Sequence, residues 1–171
     1  MIRINMFSQA DSVQGQGVGS AYKELVRLLR TRLVEDFYVT VNKYWASDLT
    51  HYHTINPTYF ANSFLPSRGR KIGYVHFLPE TLEGSVKLPE PAKSIFYKYV
   101  IDFYKRMDQI VVVNPIFIDK LVKYGISEEK VKYIPNFVAK SEFYEQRQVQ
   151  KNAFRNKLYI PKDKFVIVGD G

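Results

Sequence analysis

The hydrophobic positions of the chain follow two alternating patterns. Short runs of β-branched and aromatic residues predict six strands, at residues 2–8, 37–41, 48–53, 71–76, 109–113 and 130–134. Between these runs apolar residues recur at helical spacing, which predicts helices at about 22–34, at 92–107 and from Pro115 to Gly125. Because strands that alternate with helices form parallel sheets, the pattern predicts an α/β layer fold.

The pattern changes near residue 140. Residues 140–157 are polar and helix-prone, and the segment LYIPKDKFVIVGDG at 158–171 combines a proline turn, a strand-like FVIV and a glycine turn. A strand followed by Gly-Asp-Gly is typical of the start of a new α/β unit. We therefore predict one complete domain at 1–139, followed at 140–171 by a linker and the first strand of a second, truncated domain.

The net charge and the aromatic content narrow the class of partner. The formal charge is +8, and Phe, Trp and Tyr make up 15% of the residues. This combination suits an anionic membrane surface or a nucleic acid, and an ordinary basic surface is the alternative. No nucleic-acid-binding motif is recognisable, so nucleic acid is not an expected partner.

Residue usage also limits the chemistry. The chain contains no cysteine, which excludes disulfides and thiolate metal sites and fits a reducing compartment. The three histidines include no His-x-x-x-His pair on a helix, so we expect no metal. We find neither a signal peptide nor an apolar run approaching the roughly 20 residues of a membrane span, and we expect a soluble or peripheral protein.

The stretch SQADSVQGQGVGSA, residues 8–21, places Gly15, Gly17 and Gly19 before a predicted helix. A dinucleotide-binding loop would need a glycine where Ser20 stands and would follow the strand directly. A flexible turn capped by Ser20 is one alternative. The other is a cradle for a phosphate or a sugar, because N–H groups at a helix N-terminus attract anions and glycines allow close approach.

Two histidines stand where predicted strands end. Ligands of parallel α/β sheets bind beyond the carboxyl ends of the strands. We therefore expect the glycine segment, His53 and His76 to converge although they are far apart in sequence. An imidazole at the position of His76 can hydrogen-bond a substrate hydroxyl, whereas a structural hydrogen bond is the alternative role for His53.

The predicted helix at 92–107 has two distinct faces. One is a stripe of core type, formed by Phe96, Tyr99, Val100, Phe103 and Met107. The other combines aromatic and basic residues and suits a lipid headgroup region. A packed helix with its tyrosine hydroxyls at the surface is the alternative. The predicted membrane-surface residues are Lys93, Tyr97, Lys98, Ile101, Tyr104, Lys105 and Arg106.

The motifs of the chain follow a fixed order. They are the glycine segment, His51-Tyr-His53, Tyr74-Val-His76, IVVVNP at 110–115, KVKYIPNF at 130–137 and the restart at 158. This order resembles the N-terminal half of a family 4 glycosyltransferase of the GT-B fold. Phe137 stands where the family usually has glycine. The opening IRINMFSQADSVQGQGVGSAY resembles bacterial glycolipid synthases, which add glucose to diacylglycerol or monoglucosyl-diacylglycerol.

The resemblance implies a Rossmann-like parallel sheet with helices on both faces and a retaining hexose transfer from a nucleotide-sugar, UDP-glucose, without a cofactor. It implies that His76 contacts the transferred sugar. It also implies that the phosphates or the acceptor are bordered by Gly15, Gly17, Val18, Gly19, His53 and Asn136.

The same resemblance implies a lipid or glycolipid acceptor and a peripheral location on the inner, cytoplasmic face of the cell membrane. The donor-binding C-terminal domain of the same polypeptide would be the partner of this half, which we expect to be inactive alone. The alternative is a non-catalytic Rossmann-like module that binds a membrane or a nucleic acid through its basic surface.

Overall fold

A computed structural model of the protein describes residues 1–9, 17–81, 88–136 and 144–167. Within these residues the chain forms six strands and five α-helices. The strands are β1 (Ile2–Phe7), β2 (Phe37–Val41), β3 (Leu49–Tyr52), β4 (Arg70–Val75), β5 (Gln109–Val112) and β6 (Val131–Tyr133). The α-helices are α1 (Gly17–Arg32), α2 (Pro57–Asn62), α3 (Glu90–Lys105), α4 (Ile116–Lys123) and α5 (Gln148–Lys157).

The six strands form one parallel sheet in the order β2-β1-β3-β4-β5-β6. The chain leaves β1 for β2 on one side and returns for β3 on the other. The carboxyl ends of β1 and β3 therefore flank the topological switch point, where open α/β sheets bind their ligands. The predicted parallel α/β sheet is confirmed.

Side chains alternate across the sheet and build a core on each face. On one face, Ile4 and Met6 of β1 pack with Tyr22 and Val26 of α1. On the other face lies a larger core that is covered by α3 and α4. Its fully buried members include Phe7, Tyr52, Val75, Leu78, Val100, Phe103, Tyr104, Met107, Ile110, Val112 and Leu121.

Helix α2 is absent from the sequence-based prediction, which treats Asn56-Pro57 only as a strand breaker. The structure uses the same dipeptide to begin a helix. Asn56 Oδ1 accepts a hydrogen bond of 2.8 Å from the Tyr59 N–H, and Pro57 occupies the first turn, where no N–H is needed. A cap and a breaker use the same residue types, so the sequence pattern could not separate them.

Helix α3 buries residues on more than one of its faces. Its predicted core stripe is confirmed at Val100, Phe103 and Met107. The prediction that Ile101 and Tyr104 lie on a membrane-facing surface is wrong, because both side chains are buried in the core. Gly73 of β4 lets the end of α3 pack close to the sheet, since a Cβ there would stand 2.8 Å from Met107 Cγ.

The chain divides into two compact units, residues 1–137 and 138–171. In the second unit, α5 is followed by a turn in which the Arg155 guanidinium donates hydrogen bonds to the carbonyls of Pro161 and Lys164. Residues 165–167 of the predicted strand FVIV have no strand partner among the described residues, and the rest of that strand lies outside them. The nature of the second unit stays a prediction.

Candidate functional site

The backbone at the switch point is fixed by short hydrogen bonds. The His53 N–H donates to the Phe7 carbonyl at 2.8 Å, and the Gln9 N–H donates to Thr54 Oγ1 at 2.9 Å. Asn42, which follows β2 with a φ of 51°, exchanges two hydrogen bonds with the backbone of Ser8, at 3.0 and 2.9 Å. These bonds tie together the chain segments that follow β1, β2 and β3.

A ladder of stacked rings runs along the carboxyl edge of β3 and β4. His53 and Tyr74 lie face to face, with ring centroids 4.1 Å apart and an interplanar angle of 20°. His51 and His76 continue the stack at 5.6 and 6.1 Å from the Tyr74 ring. Tyr22 of α1 meets the His53 ring edge-on at 4.9 Å. The aromatic packing holds the three imidazoles in fixed orientations.

The ladder forms one wall of a pocket, here called the switch-point pocket. Its other walls come from α1 and from the segment that follows β6. The lining residues are Ala21, Leu25, His53, Tyr74, His76, Ile134, Pro135 and Asn136. Three residues that the sequence analysis selected, His53, His76 and Asn136, therefore meet in one place. Their proposed roles toward a ligand stay predictions.

Burial holds the imidazoles of the ladder neutral at pH 7. It lowers the pKa of His51 and of His76 to about 4, and it lowers that of His53 well below its usual range, with smaller contributions from the other two imidazoles. Nε2 of His53 and Nε2 of His76 are buried and have no hydrogen-bond partner among the described residues. A buried polar atom without a partner is destabilising, and a sugar hydroxyl could satisfy it.

The glycine segment is described only in part. Gly15 lies outside the described residues. Gly17, Val18 and Gly19 form the first turn of α1, and Gly19 is buried there. Because α1 continues into Ala21 and Leu25, its N-terminal turns border the switch-point pocket. The positive end of the helix dipole thus lies at the carboxyl edge of the sheet.

Tyr74 is the functional-site residue that sequence reasoning did not select. Its ring lies 4.1 Å from that of His53 and 6.1 Å from that of His76, and burial raises its pKa. A signal was present in the sequence, because Tyr74 stands two residues before His76 on a strand and so shares its face. A tyrosine inside a hydrophobic strand is usually a core residue. Its position beside His53 becomes clear only when β4 is paired with β3.

The remaining predicted membrane-surface residues have mixed environments. Lys98 and Lys105 are exposed, and Lys98 pairs with Asp102 at 2.7 Å. Lys93 and Tyr97 are partly buried, and Lys93 Nζ lies 5.6 Å from the Tyr97 ring. Arg106, at the end of α3, stacks its guanidinium 3.3 Å above the Phe64 ring.

Two kinds of feature, a metal site and a membrane-spanning helix, are absent from the described residues. None of their His, Asp and Glu side chains form a group of three or more that could hold a metal ion. In the same part of the chain, no helix has the length and apolar character needed to cross a bilayer.

Comparisons with known proteins agree with this fold and motif order. Residues 17–142 match the model of Glycosyltransferase Family 4. The chain is 49% identical over 171 aligned residues to a Streptococcus pneumoniae protein named alpha-galactosylglucosyldiacylglycerol synthase, and the match covers 99% of this chain and 46% of that protein. The chain thus spans about half the length of this curated relative.

Solved structures confirm the fold. The chain superimposes on Anabaena Alr3699/HepE in complex with UDP and glucose with a TM-score of 0.65 at 12% identity, covering 93% of this chain and 50% of that one. The same protein in complex with UDP-glucose gives a TM-score of 0.64 at 13% identity, with the same coverage of both chains. The Rossmann-like sheet is therefore that of one half of a GT-B glycosyltransferase, and the chain belongs to glycosyltransferase family 4.

Proposed function

We propose that this chain is the acceptor-side half of a retaining glycosyltransferase that transfers a hexose from a nucleotide-sugar to diacylglycerol or a glycolipid. The observation that carries the proposal is the 49% identity, along almost the whole chain, to a synthase of galactosylglucosyldiacylglycerol. The switch-point pocket supports it, because it lies where a parallel α/β sheet binds ligands and contains buried imidazole nitrogens that have no partner among the described residues.

The proposed reaction is a substitution at the anomeric carbon of the sugar. The bond between that carbon and the diphosphate oxygen breaks, and a new bond to the acceptor hydroxyl oxygen forms with the configuration retained. The proton of the acceptor hydroxyl passes to an oxygen of the diphosphate, and the nucleoside diphosphate leaves. Charge on the departing diphosphate would be stabilised by backbone N–H groups and cations, without a metal or a cofactor.

The residues of the pocket would have different roles in binding the substrates. His76 is proposed to contact the transferred sugar through Nε2 as a neutral imidazole, which can donate or accept a hydrogen bond. Gly17, Val18 and Gly19 at the start of α1, together with Gly15, would border the diphosphate or the acceptor. His53 and Asn136, on two other walls of the pocket, would complete the binding surface.

The donor is proposed to be UDP-glucose or a close relative. HepE, whose fold this chain shares, is described in complex with UDP-glucose, and the named streptococcal relative makes a lipid that contains both galactose and glucose. UDP-galactose is therefore the second donor to test. Most of the donor site would belong to a second domain of the same polypeptide, so this half alone is expected to be inactive. The enzyme would act as a peripheral protein on the cytoplasmic face of the membrane.

A transfer assay on the full-length protein tests the proposal. Radiolabelled UDP-glucose and UDP-galactose are each supplied with detergent-dispersed diacylglycerol and with glucosyl-diacylglycerol. The lipid products are then separated, and their masses are measured by mass spectrometry. The expected result is one labelled glycolipid with one added hexose, and no product from the 171-residue chain alone. No labelled lipid from any donor and acceptor would contradict the proposal and favour a non-catalytic module.

A further inference from the structure

Two neighbouring loops expose large apolar side chains at the margin of the core. The loop after β2 exposes Tyr44 and Trp45, at 55% and 63%, and the turn after α2 exposes Phe64 and Leu65, at 54% and 45%. We call these four residues the aromatic surface. Four exposed large apolar side chains on two segments that are hydrogen-bonded to each other are typical of an interaction site.

A buried arginine holds the first loop against the second. Arg68 is only 2% exposed, and its guanidinium donates hydrogen bonds of 2.7 and 2.8 Å to the carbonyls of Trp45 and Tyr44. The Ser47 N–H also donates to the Ser67 carbonyl at 3.0 Å. A charged group is buried at a cost, and here it fixes a backbone whose side chains point to solvent. The exposure of the rings is therefore built into the fold.

The surroundings of the aromatic surface are positively charged. Lys43 Nζ lies 5.7 Å from the Trp45 ring, and Arg106 stacks on Phe64. The sequence from 37 to 68 contains a single acidic residue, Asp48, and Arg3 neutralises it through a contact of 2.9 Å. Apolar rings with cations at their edges are complementary to the interface of a bilayer that contains anionic lipid.

The surface also adjoins the switch point. The Tyr44 ring packs 5.4 Å from that of Phe7, the last residue of β1, and the Phe7 carbonyl accepts the hydrogen bond from the His53 backbone. A bilayer held against the aromatic surface would thus lie next to the edge of the sheet where we place the acceptor.

We infer that Tyr44, Trp45, Phe64 and Leu65, with Lys43 and Arg106, form the face by which the protein docks on an anionic membrane. The inference rests on the proposed function, because a lipid acceptor is the reason for the protein to approach a bilayer. It moves the expected contact away from α3, whose Ile101 and Tyr104 are buried.

Trp45 provides a direct probe, because it is the single tryptophan of the 171-residue chain. We expect its emission to shift to shorter wavelength on vesicles of phosphatidylcholine with phosphatidylglycerol, and to be quenched when the lipids carry brominated acyl chains. Sedimentation with the same vesicles shows whether the chain is bound. Bound chain with an unshifted and unquenched Trp45 would overturn the inference, as would failure to bind anionic vesicles at low salt.

Variants then assign the binding to this face. The double variant Trp45→Ala/Phe64→Ala is expected to lower the partition coefficient on anionic vesicles at least about tenfold. Lys43→Gln is expected to lower it about fivefold, with no effect on neutral vesicles. Ile95→Ala and Lys98→Gln, on the exposed face of α3, are the matched controls and should bind like the unchanged chain. The reverse ranking would place the contact on α3 instead.

Two further measurements distinguish membrane docking from self-association and from a loss of catalysis. Sedimentation equilibrium of the unchanged chain and the double variant tests for a second copy on the same face; a dimer that the double variant loses, without a change in vesicle binding, would overturn the inference. In the full-length enzyme, the double variant should keep its turnover on detergent-dispersed acceptor and lose at least about tenfold on vesicles. If the unchanged protein transfers no sugar in either assay, the proposed function fails. The vesicle-binding measurements still test the docking face, because they do not depend on catalysis.

Discussion

At the residue scale, the switch-point pocket depends on His53 and His76, whose Nε2 atoms are buried without a hydrogen-bond partner among the described residues. His53 and His76 could be predicted as site residues because both follow strands whose carboxyl ends meet. That they share a stack with His51 and Tyr74 could not be predicted, since it depends on the side-by-side pairing of β3 with β4. The neutrality of the imidazoles follows from that burial and from no local sequence feature.

The buried histidines predict acid sensitivity. In the folded protein, burial holds the pKa of His51 and of His76 at about 4, below the usual 6.5. As the pH falls through 6.5, the unfolded chain takes up protons first, so the free energy of unfolding decreases. We expect a loss of about 1–2 kcal/mol for each of these histidines between about pH 7 and pH 5, measured by urea unfolding.

The ion pair of Arg3 with Asp48 does not titrate in this window. Arg3 lowers the pKa of Asp48 to about 2, so the stability from that pair is present above 3.8 and is lost only as the pH falls toward 2. The variant His51→Phe serves as the control, because it removes one titrating ring and should flatten the dependence. Equal unfolding free energies at about pH 7 and pH 5 would contradict the neutral, buried state of the ladder.

At the element scale, the periodic patterns predicted all six strands and three long helices, with ends that shift by a few residues in the structure. The sequence missed α2 because its Asn-Pro start looks like a strand breaker. It also misassigned the second face of α3, since tyrosines and isoleucines at helical spacing suit a core as well as a lipid interface. Tertiary packing determines which residues of α3 are buried, because the sheet and α4 cover most of the C-terminal half of the helix.

Two glycines in left-handed conformations allow a matched test of close packing. Gly69, just before β4, has a φ of 54°, and an added Cβ would stand 2.1 Å from the Asp48 carbonyl oxygen. Gly125, after α4, has a φ of 82° with only Lys105 Nζ nearby, at 3.9 Å. Gly125→Ala should cost about 1 kcal/mol of unfolding free energy through its backbone angle alone.

Gly69→Ala should cost about 3 kcal/mol or more, because the backbone of Asp48 must also move. Urea unfolding of both variants at neutral pH measures the two costs. Similar losses for the two substitutions would show that the approach of the two chain segments at Gly69 is looser than the structure describes.

At the scale of the whole molecule, the sequence could predict a parallel sheet and the family, and the family match confirms the family. It could not predict the order of the strands. The placement of β1 between β2 and β3 creates the switch point, and that placement depends on crossovers that no single segment encodes. The switch-point pocket is accordingly a property of the assembled sheet, drawn from α1, β3, β4 and the segment after β6.

Hexose transfer by the full-length protein, compared between the natural sequence and His76→Ala, tests most directly whether the switch-point pocket is where the reaction occurs. The natural sequence should form a glycolipid with one added hexose, and His76→Ala should form it about 100-fold more slowly with the same circular dichroism and urea midpoint. A turnover of the folded His76→Ala variant within about twofold of the natural sequence would contradict this assignment.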